Sequence, residues 1–120
     1  MAAAGPAGSL FYAGPRPLSE PESRLAAALV RRLHPRLTIY YHQPLTVVDD
    51  SQGPRRIERR YARATGLPLV PLTDYPGSAA GWQDHLLGPT AFVVELPPGA
   101  LTARQVRAHV AALRAVLPRG

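Results

Sequence analysis

Hydrophobic residues at helical spacing predict three helices in this sequence. The first begins after Ser19, which has the spacing of a capping box with Glu22, and stops before Pro35. The second covers residues 54–65 and the third starts at a second capping box at residues 102–105. The apolar faces are Leu25, Leu29 and Leu33 in the first helix and Val106, Val110, Leu113 and Leu117 in the last. Of these, the residues predicted to enter the core are Leu25, Leu29, Val106, Val110 and Leu113.

Runs of β-branched and aromatic residues predict two main strands, residues 37–42 (LTIYYH) and 90–96 (TAFVVEL). The second run is apolar except for Glu95, which is typical of a strand buried on both faces. Prolines interrupt residues 67–72, so we expect an edge strand or an extended segment there. Residues 47–52 are expected to form a polar loop, and residues 73–89 the longest loop, with one helical turn near Trp82.

The alternation of helices and strands predicts an α/β fold, with helices packed on a mostly parallel sheet. The chain has 120 residues, of which 46% are hydrophobic, so it can bury a core. It contains no cysteine, which excludes a disulfide scaffold, a thiol nucleophile and an iron–sulfur cluster. No apolar run reaches the roughly 18 residues of a membrane-spanning helix, so we expect no membrane partner.

The net charge is +6 and all fourteen basic residues are arginines. Five of them fall between residues 55 and 63, on the second predicted helix, which raises the alternative of a small nucleic-acid-binding domain. A solvated helix face opposite Ile57 and Tyr61 is the favoured interpretation, because readers of bases usually add interleaved aromatic residues or a recognised motif. The beginning of the sequence has no signal-peptide pattern, so we expect either a cytoplasmic protein or a missing natural amino terminus.

Two polar residues stand at the ends of the predicted strands. His42 ends the first main strand and Glu95 nearly ends the second. If the strands are parallel, both side chains lie at the carboxyl edge of the sheet, where open α/β sheets bind ligands. A carboxylate after an apolar run is costly to bury unpaired, so Glu95 predicts a metal, an arginine or a catalytic role. The alternatives are a histidine bonded to backbone and a partly exposed carboxylate paired with an arginine.

Four motifs in this sequence resemble those of the zinc carboxypeptidases of the carboxypeptidase A type, and most of all their murein peptide amidase branch. Together they cover about residues 11–117 in the family's order. They are FYAGPRPLSEPE at residues 11–22, YYHQP at 40–44, YPGS at 75–78 with Trp82, and VVELP at 93–97.

The resemblance implies a partial α/β/α domain, a Zn²⁺ cofactor and hydrolysis of a peptide or peptidoglycan-derived amide. It implies that His42 is a zinc ligand, that Glu95 is the general base, and that Tyr75 closes over the substrate and binds it. In the family, two further zinc ligands come from an upstream H-x-x-E motif, and the residues before Tyr12 contain no such motif.

Residues 11–120 therefore resemble the carboxyl-terminal part of the catalytic domain, after an irregular lead-in at residues 1–10. Two of the three expected protein ligands are missing from the chain, and we expect it to be inactive without the amino-terminal half of the domain as a partner. The alternatives are a non-catalytic relic that binds a peptide and a small basic binding domain.

Overall fold

The computed structural model describes residues 5–9, 12–73 and 77–117, and these contain four helices and four strands. In chain order the elements are α1 (Pro21–Leu33), β1 (Thr38–His42), β2 (Val47–Asp49), α2 (Arg55–Thr65), β3 (Leu69–Val70), α3 (Ala79–Leu87), β4 (Ala91–Glu95) and α4 (Ala103–Val116).

The four strands form one sheet in the order β1-β4-β2-β3. The pairs β1–β4 and β2–β3 are parallel, and β2–β4 is antiparallel, so the sheet is mostly parallel as predicted. Strand β4 is central and largely buried, and β3 lies at an edge, which confirms both expectations. The other edge is β1.

Helices cover both faces of this sheet. On one face, α2 and α4 pack together and enclose the core around Tyr61, Phe92 and Val94, all of them fully buried. On the other face, α3 contacts β4 and β1. Because side chains alternate along a strand, Tyr41 of β1 points towards α2 while Tyr40 points towards α3. The α/β class with helices on a mostly parallel sheet is therefore confirmed.

Two segments predicted as loops contain regular structure. Val47–Asp49 is strand β2, which the prediction of a polar loop missed because three residues are too short to show alternation. Ala79–Leu87 is helix α3 rather than one turn near Trp82. Its N-cap is Ser78, whose hydroxyl accepts a hydrogen bond from the Gly81 amide.

The predicted apolar sides of α1 and α4 are wrong as a list of core residues. In α1, the exposed fractions of Leu25 and Leu29 are 72% and 47%, and the buried residues are Ala27 and Val30. In α4, His109, Ala112 and Val116 face the sheet, with Leu113 partly buried, whereas Val106, Val110 and Leu117 are exposed. The spacing identified residues that share a face, but other residues of each helix contact the core.

His109 is a polar residue whose ring is hydrogen-bonded in the core. Its Nδ1 lies 2.7 Å from the Tyr61 hydroxyl, which lies 2.8 Å from the Tyr41 hydroxyl. This network connects α4, α2 and β1. Burial lowers the pKa of His109, which keeps the imidazole neutral beside these hydroxyls.

Helix α2 also buries an acid. Glu58 is fully buried, and its two carboxyl oxygens have no hydrogen-bond partner among the described residues. Gly53, with φ of +92°, allows the loop before α2 to approach this carboxyl group, because a Cβ there would overlap with it and with the Ala91 carbonyl oxygen. Burial, followed by the nearby carboxylates of Asp49, Asp50 and Asp84, raises the pKa of Glu58 to about 8.

The chain should therefore lose stability as rising pH ionises Glu58 in the unfolded state. Between pH 4.5 and about 8 the folded chain keeps a proton that the unfolded chain releases, so the free energy of unfolding decreases with rising pH. Glu58→Gln removes this dependence. Its advantage over the wild type should grow by up to about 1.4 kcal/mol per pH unit across that range, measured by urea unfolding. Glu22→Gln, at an exposed position, is the matched control, and a constant difference for Glu58→Gln would contradict the prediction.

Candidate active site

The structure brings His42 and Glu95 together at the carboxyl ends of two neighbouring strands. They are register partners in the parallel pair β1–β4, and His42 Nδ1 lies 3.3 Å from Glu95 Oε1. The His42 side chain is 75% exposed, whereas that of Glu95 is 9% exposed. The two side chains therefore meet at the carboxyl edge of the sheet, as predicted. Their chemical roles stay predictions.

Backbone groups hold the other side of Glu95. The Leu45 amide donates to Glu95 Oε2 at 3.4 Å, and the Leu96 amide donates to the His42 carbonyl oxygen at 2.7 Å. The Gln43 side-chain amide donates to the carbonyl oxygens of Pro97 and Gly99, which ties the segments after both strands to each other. Oε2 is thus directed to backbone and Oε1 to His42. Among the described residues Glu95 pairs with this histidine and with no arginine.

A groove of about 1120 Å³ is lined by Tyr40, on the side of the sheet that His42 faces, and by neither His42 nor Glu95. Tyr40, two residues before His42 on the same side of β1, forms part of its floor. The walls come from residues 13–20 and the start of α1, and from Ser78 and Trp82 at the start of α3. Two of the motifs found in the sequence, separated by about sixty residues, therefore line one groove. Tyr75, the predicted substrate-binding residue, lies outside the described residues.

Three polar residues that the sequence analysis did not identify attach α3 to the sheet. Gln83 is fully buried, accepts from the Tyr40 hydroxyl at 2.9 Å, and donates to the hydroxyls of Thr38 and Thr90. Asp84 accepts hydrogen bonds from the amides at residues 90 and 91, where β4 begins. Gln52 donates to the Ser78 hydroxyl at 3.1 Å. The sequence signal for this attachment was the adjacent pair Gln83 and Asp84 before a buried strand, and it fell in a segment predicted as a loop.

The donor set for a metal is partial in this chain. An imidazole nitrogen and a carboxylate are both ligands that zinc accepts, and His42 and Glu95 offer one of each at the same edge of the sheet. Across residues 5–9, 12–73 and 77–117, however, the structure contains no group of three or more histidine or acidic side chains arranged to hold a metal ion. The pair fits a zinc site as part of a donor set and requires further ligands.

Comparisons with known proteins show that the chain is similar to murein peptide amidases in sequence and in structure. No protein-family model matches the sequence. The chain is 35% identical over 77 residues to murein peptide amidase A of Escherichia coli strain K12, and equally to that of strain O157:H7, a match that covers 61% of this chain and 31% of the relative. The crystal structure of murein-tripeptide amidase MpaA from Escherichia coli O157 matches with a TM-score of 0.68 and 26% identity, covering 92% of this chain and 47% of that one.

The matched parts are less than half of each of these relatives. The resemblance to murein peptide amidases that the motifs predicted is therefore confirmed over part of the chain. The carboxypeptidase-like α/β arrangement is confirmed with it.

Gln83 should be needed to hold α3 on the sheet. Gln83→Leu leaves the hydroxyls of Tyr40, Thr38 and Thr90 without their partner, which should lower the free energy of unfolding by about 1–3 kcal/mol. Trp82, the single tryptophan of the chain, allows unfolding to be followed by fluorescence at this helix. Leu86→Ala, on the exposed side of α3, is the control and should cost much less. Equal losses in the two variants would show that the hydrogen bonds of Gln83 contribute nothing specific.

Proposed function

We propose that this chain is the carboxyl-terminal part of a zinc-dependent amidase domain that hydrolyses an amide bond in a murein-derived peptide. The observation that carries the proposal is the His42–Glu95 pair, with its 3.3 Å separation at the carboxyl ends of adjacent parallel strands. The similarity to murein peptide amidase supports amidase-type hydrolysis as the reaction class.

The chemistry divides between the two side chains. Zinc, when bound, supplies a positive charge that makes a nearby water easier to deprotonate. His42 would be one of its ligands, since its imidazole is mostly exposed at the strand end. Glu95 would take the proton from the attacking water and deliver it to the leaving amide nitrogen. Its Oε2 is held by the Leu45 amide, which leaves Oε1, the oxygen facing His42, to carry the proton.

The groove beside Tyr40 is the proposed place for the peptide. It lies on the side of the sheet that His42 faces, and small residues such as Ala13, Gly77 and Ala79 line much of it, which leaves room for an extended chain. Tyr75 follows β3 and precedes the groove residue Ser78 in the sequence, and we assign it the role of bonding to the substrate near the scissile amide.

An amino-terminal segment is part of this proposal. The described strand β1 is at an edge of the sheet, with unpaired backbone groups on its outer side. Leu25 and Leu29 of α1 are exposed apolar residues. The matched relative has more than twice the matched length. A preceding segment that covers these surfaces and adds zinc ligands would complete the site.

Reading the coding DNA upstream of Met1 is a direct check of this part. An in-frame H-x-x-E motif followed by further sequence of the amidase would supply the expected ligands. A coding region without such a motif, in this gene and its neighbours, would favour the alternative of a non-catalytic relic.

The isolated chain should bind zinc weakly. His42 is the one zinc ligand proposed for this chain, and zinc sites in proteins normally use three or four protein ligands. After dialysis against metal-free buffer, atomic absorption should find less than one zinc per chain. A tightly held zinc that His42→Ala removes would show that this chain supplies a full ligand set and would overturn the requirement for an upstream segment.

Substitutions in the completed protein should separate catalysis from metal binding. Glu95→Gln keeps the size of the side chain and removes its proton-accepting oxygen, so zinc content should stay while amidase turnover falls at least about 100-fold. His42→Ala should lower zinc content and turnover together. His85→Ala, at an exposed position of α3, is the matched control and should change neither. Near-normal turnover of zinc-loaded Glu95→Gln would refute the assignment of the base.

A further inference from the structure

Helices α2 and α4 form one continuous surface on the side of the sheet opposite the groove. The Tyr61 hydroxyl of α2 contacts His109 of α4 at 2.7 Å, and the Arg60 guanidinium reaches the Ala115 carbonyl oxygen at 3.5 Å. The two helices therefore lie side by side, and their outer sides face solvent together. Tyr40 and His42 point to the opposite side of β1, so this surface is separated from the candidate active site by the sheet.

This surface concentrates positive charge without exposed acids. We call it the arginine face and define it by eight exposed residues: Arg55, Arg56, Arg59, Arg60, Arg63, Arg104, Arg107 and Arg114. Glu58 is the acidic residue of these two helices, and it is fully buried. The described acids outside α2 and α4 lie in or beside α1, β2, α3 and β4. The face thus carries eight positive charges, more than the net charge of +6 of the whole chain.

Part of this arrangement opposes helix formation, although Arg63 and Arg114 lie in last turns, where the helix dipole favours a positive charge. Along α2, Arg55 and Arg59 are four residues apart, as are Arg59 and Arg63, and like charges at this spacing destabilise a helix. Arg55 also lies in the first turn, where the helix dipole disfavours a positive charge. Within the described part of the chain, none of the eight forms an ion pair. A concentration of positive charge that is not neutralised by ion pairs points to an external anionic partner.

The two helices of the arginine face lack the features that are typical of nucleic-acid readers. The helices have 11 and 14 residues, about 17 and 21 Å of length, and both pack against each other and contribute to the core. Readers of duplex DNA insert a projecting helix or strand into a groove. Binding of single strands uses exposed aromatic platforms, and the one aromatic residue of α2 and α4, Tyr61, is buried.

We propose that the arginine face binds the surface of a membrane that contains anionic phospholipids. Guanidinium groups bind phosphate well, and basic surfaces are attracted to anionic leaflets without inserting. None of the described helices is long and apolar enough to span a membrane. Binding at the membrane surface needs no such helix. The expectation of no membrane partner was drawn from the absence of a spanning segment, and it does not apply to surface binding. The chain would bind by one side of the sheet and keep the His42 side directed away from the lipid.

Sedimentation of the full chain with vesicles tests the proposal. The chain should sediment with vesicles of phosphatidylcholine and phosphatidylglycerol in equal amounts and stay in solution with phosphatidylcholine alone. Raising the salt from about 50 to about 500 mM should release it, because the attraction is screened. The arginine face does not include His42 or Glu95, so His42→Ala should leave vesicle binding unchanged. The outcome of the sedimentation experiment is therefore independent of the proposed amidase activity.

Matched charge reversals locate the binding surface. Arg59→Glu with Arg107→Glu should weaken binding to the anionic vesicles at least about tenfold. Arg16→Glu with Arg32→Glu makes the same change in net charge at exposed positions outside the arginine face and should keep most of the affinity. If the first pair unfolds by circular dichroism, Arg59→Gln with Arg107→Gln replaces it.

Three results would overturn the proposal. One is the absence of sedimentation with anionic vesicles at low salt. Another is equal loss of binding in the two reversal pairs, which would indicate net charge rather than this face. The third is binding to double-stranded DNA that is tighter than binding to anionic vesicles at the same salt, which would identify a nucleic acid as the partner.

Discussion

The pairing of β1 with β4 is the constraint on which the candidate site depends. The two strands are about fifty residues apart in the sequence and meet in parallel, with His42 opposite Glu95. A shift of one residue would turn Glu95 to the other face of the sheet, against α2 and α4. Phe92 and Val94 prevent that shift because both are fully buried in the core on that face. The apolar packing on one side of β4 therefore fixes the polar pair on the other side.

The two sides of the sheet are held by different forces. The α2–α4 side buries aromatic and aliphatic side chains, whereas α3 is attached through the hydrogen bonds of Gln83 and Asp84. Polar attachment leaves small and polar residues beside β1, and the groove lies among them. The layer that would bind a peptide is thus built from specific hydrogen bonds, each of which needs its partner in place.

The sequence predicted the parts of this fold that carry a regular pattern. Strands β1 and β4 followed from runs of β-branched and aromatic residues, and the capping box of α4 followed from spacing. The meeting of His42 with Glu95 followed from the geometry of parallel strands. Helix α3 was missed because polar residues such as Gln83 anchor it, and these leave no apolar repeat. The stripe containing Leu25 was assigned to the core because spacing shows which residues share a face and does not show what covers that face.

The buried carboxyl group of Glu58 changes the charge that the folded chain carries. With a pKa of about 8 it is mostly neutral at pH 7, so the native chain holds close to one positive charge more than the formal +6 of its composition. Folding at neutral pH is then a reaction that consumes a proton from the solvent. The heat of unfolding measured by calorimetry therefore includes the ionisation heat of the buffer, and it differs between phosphate and Tris at the same pH.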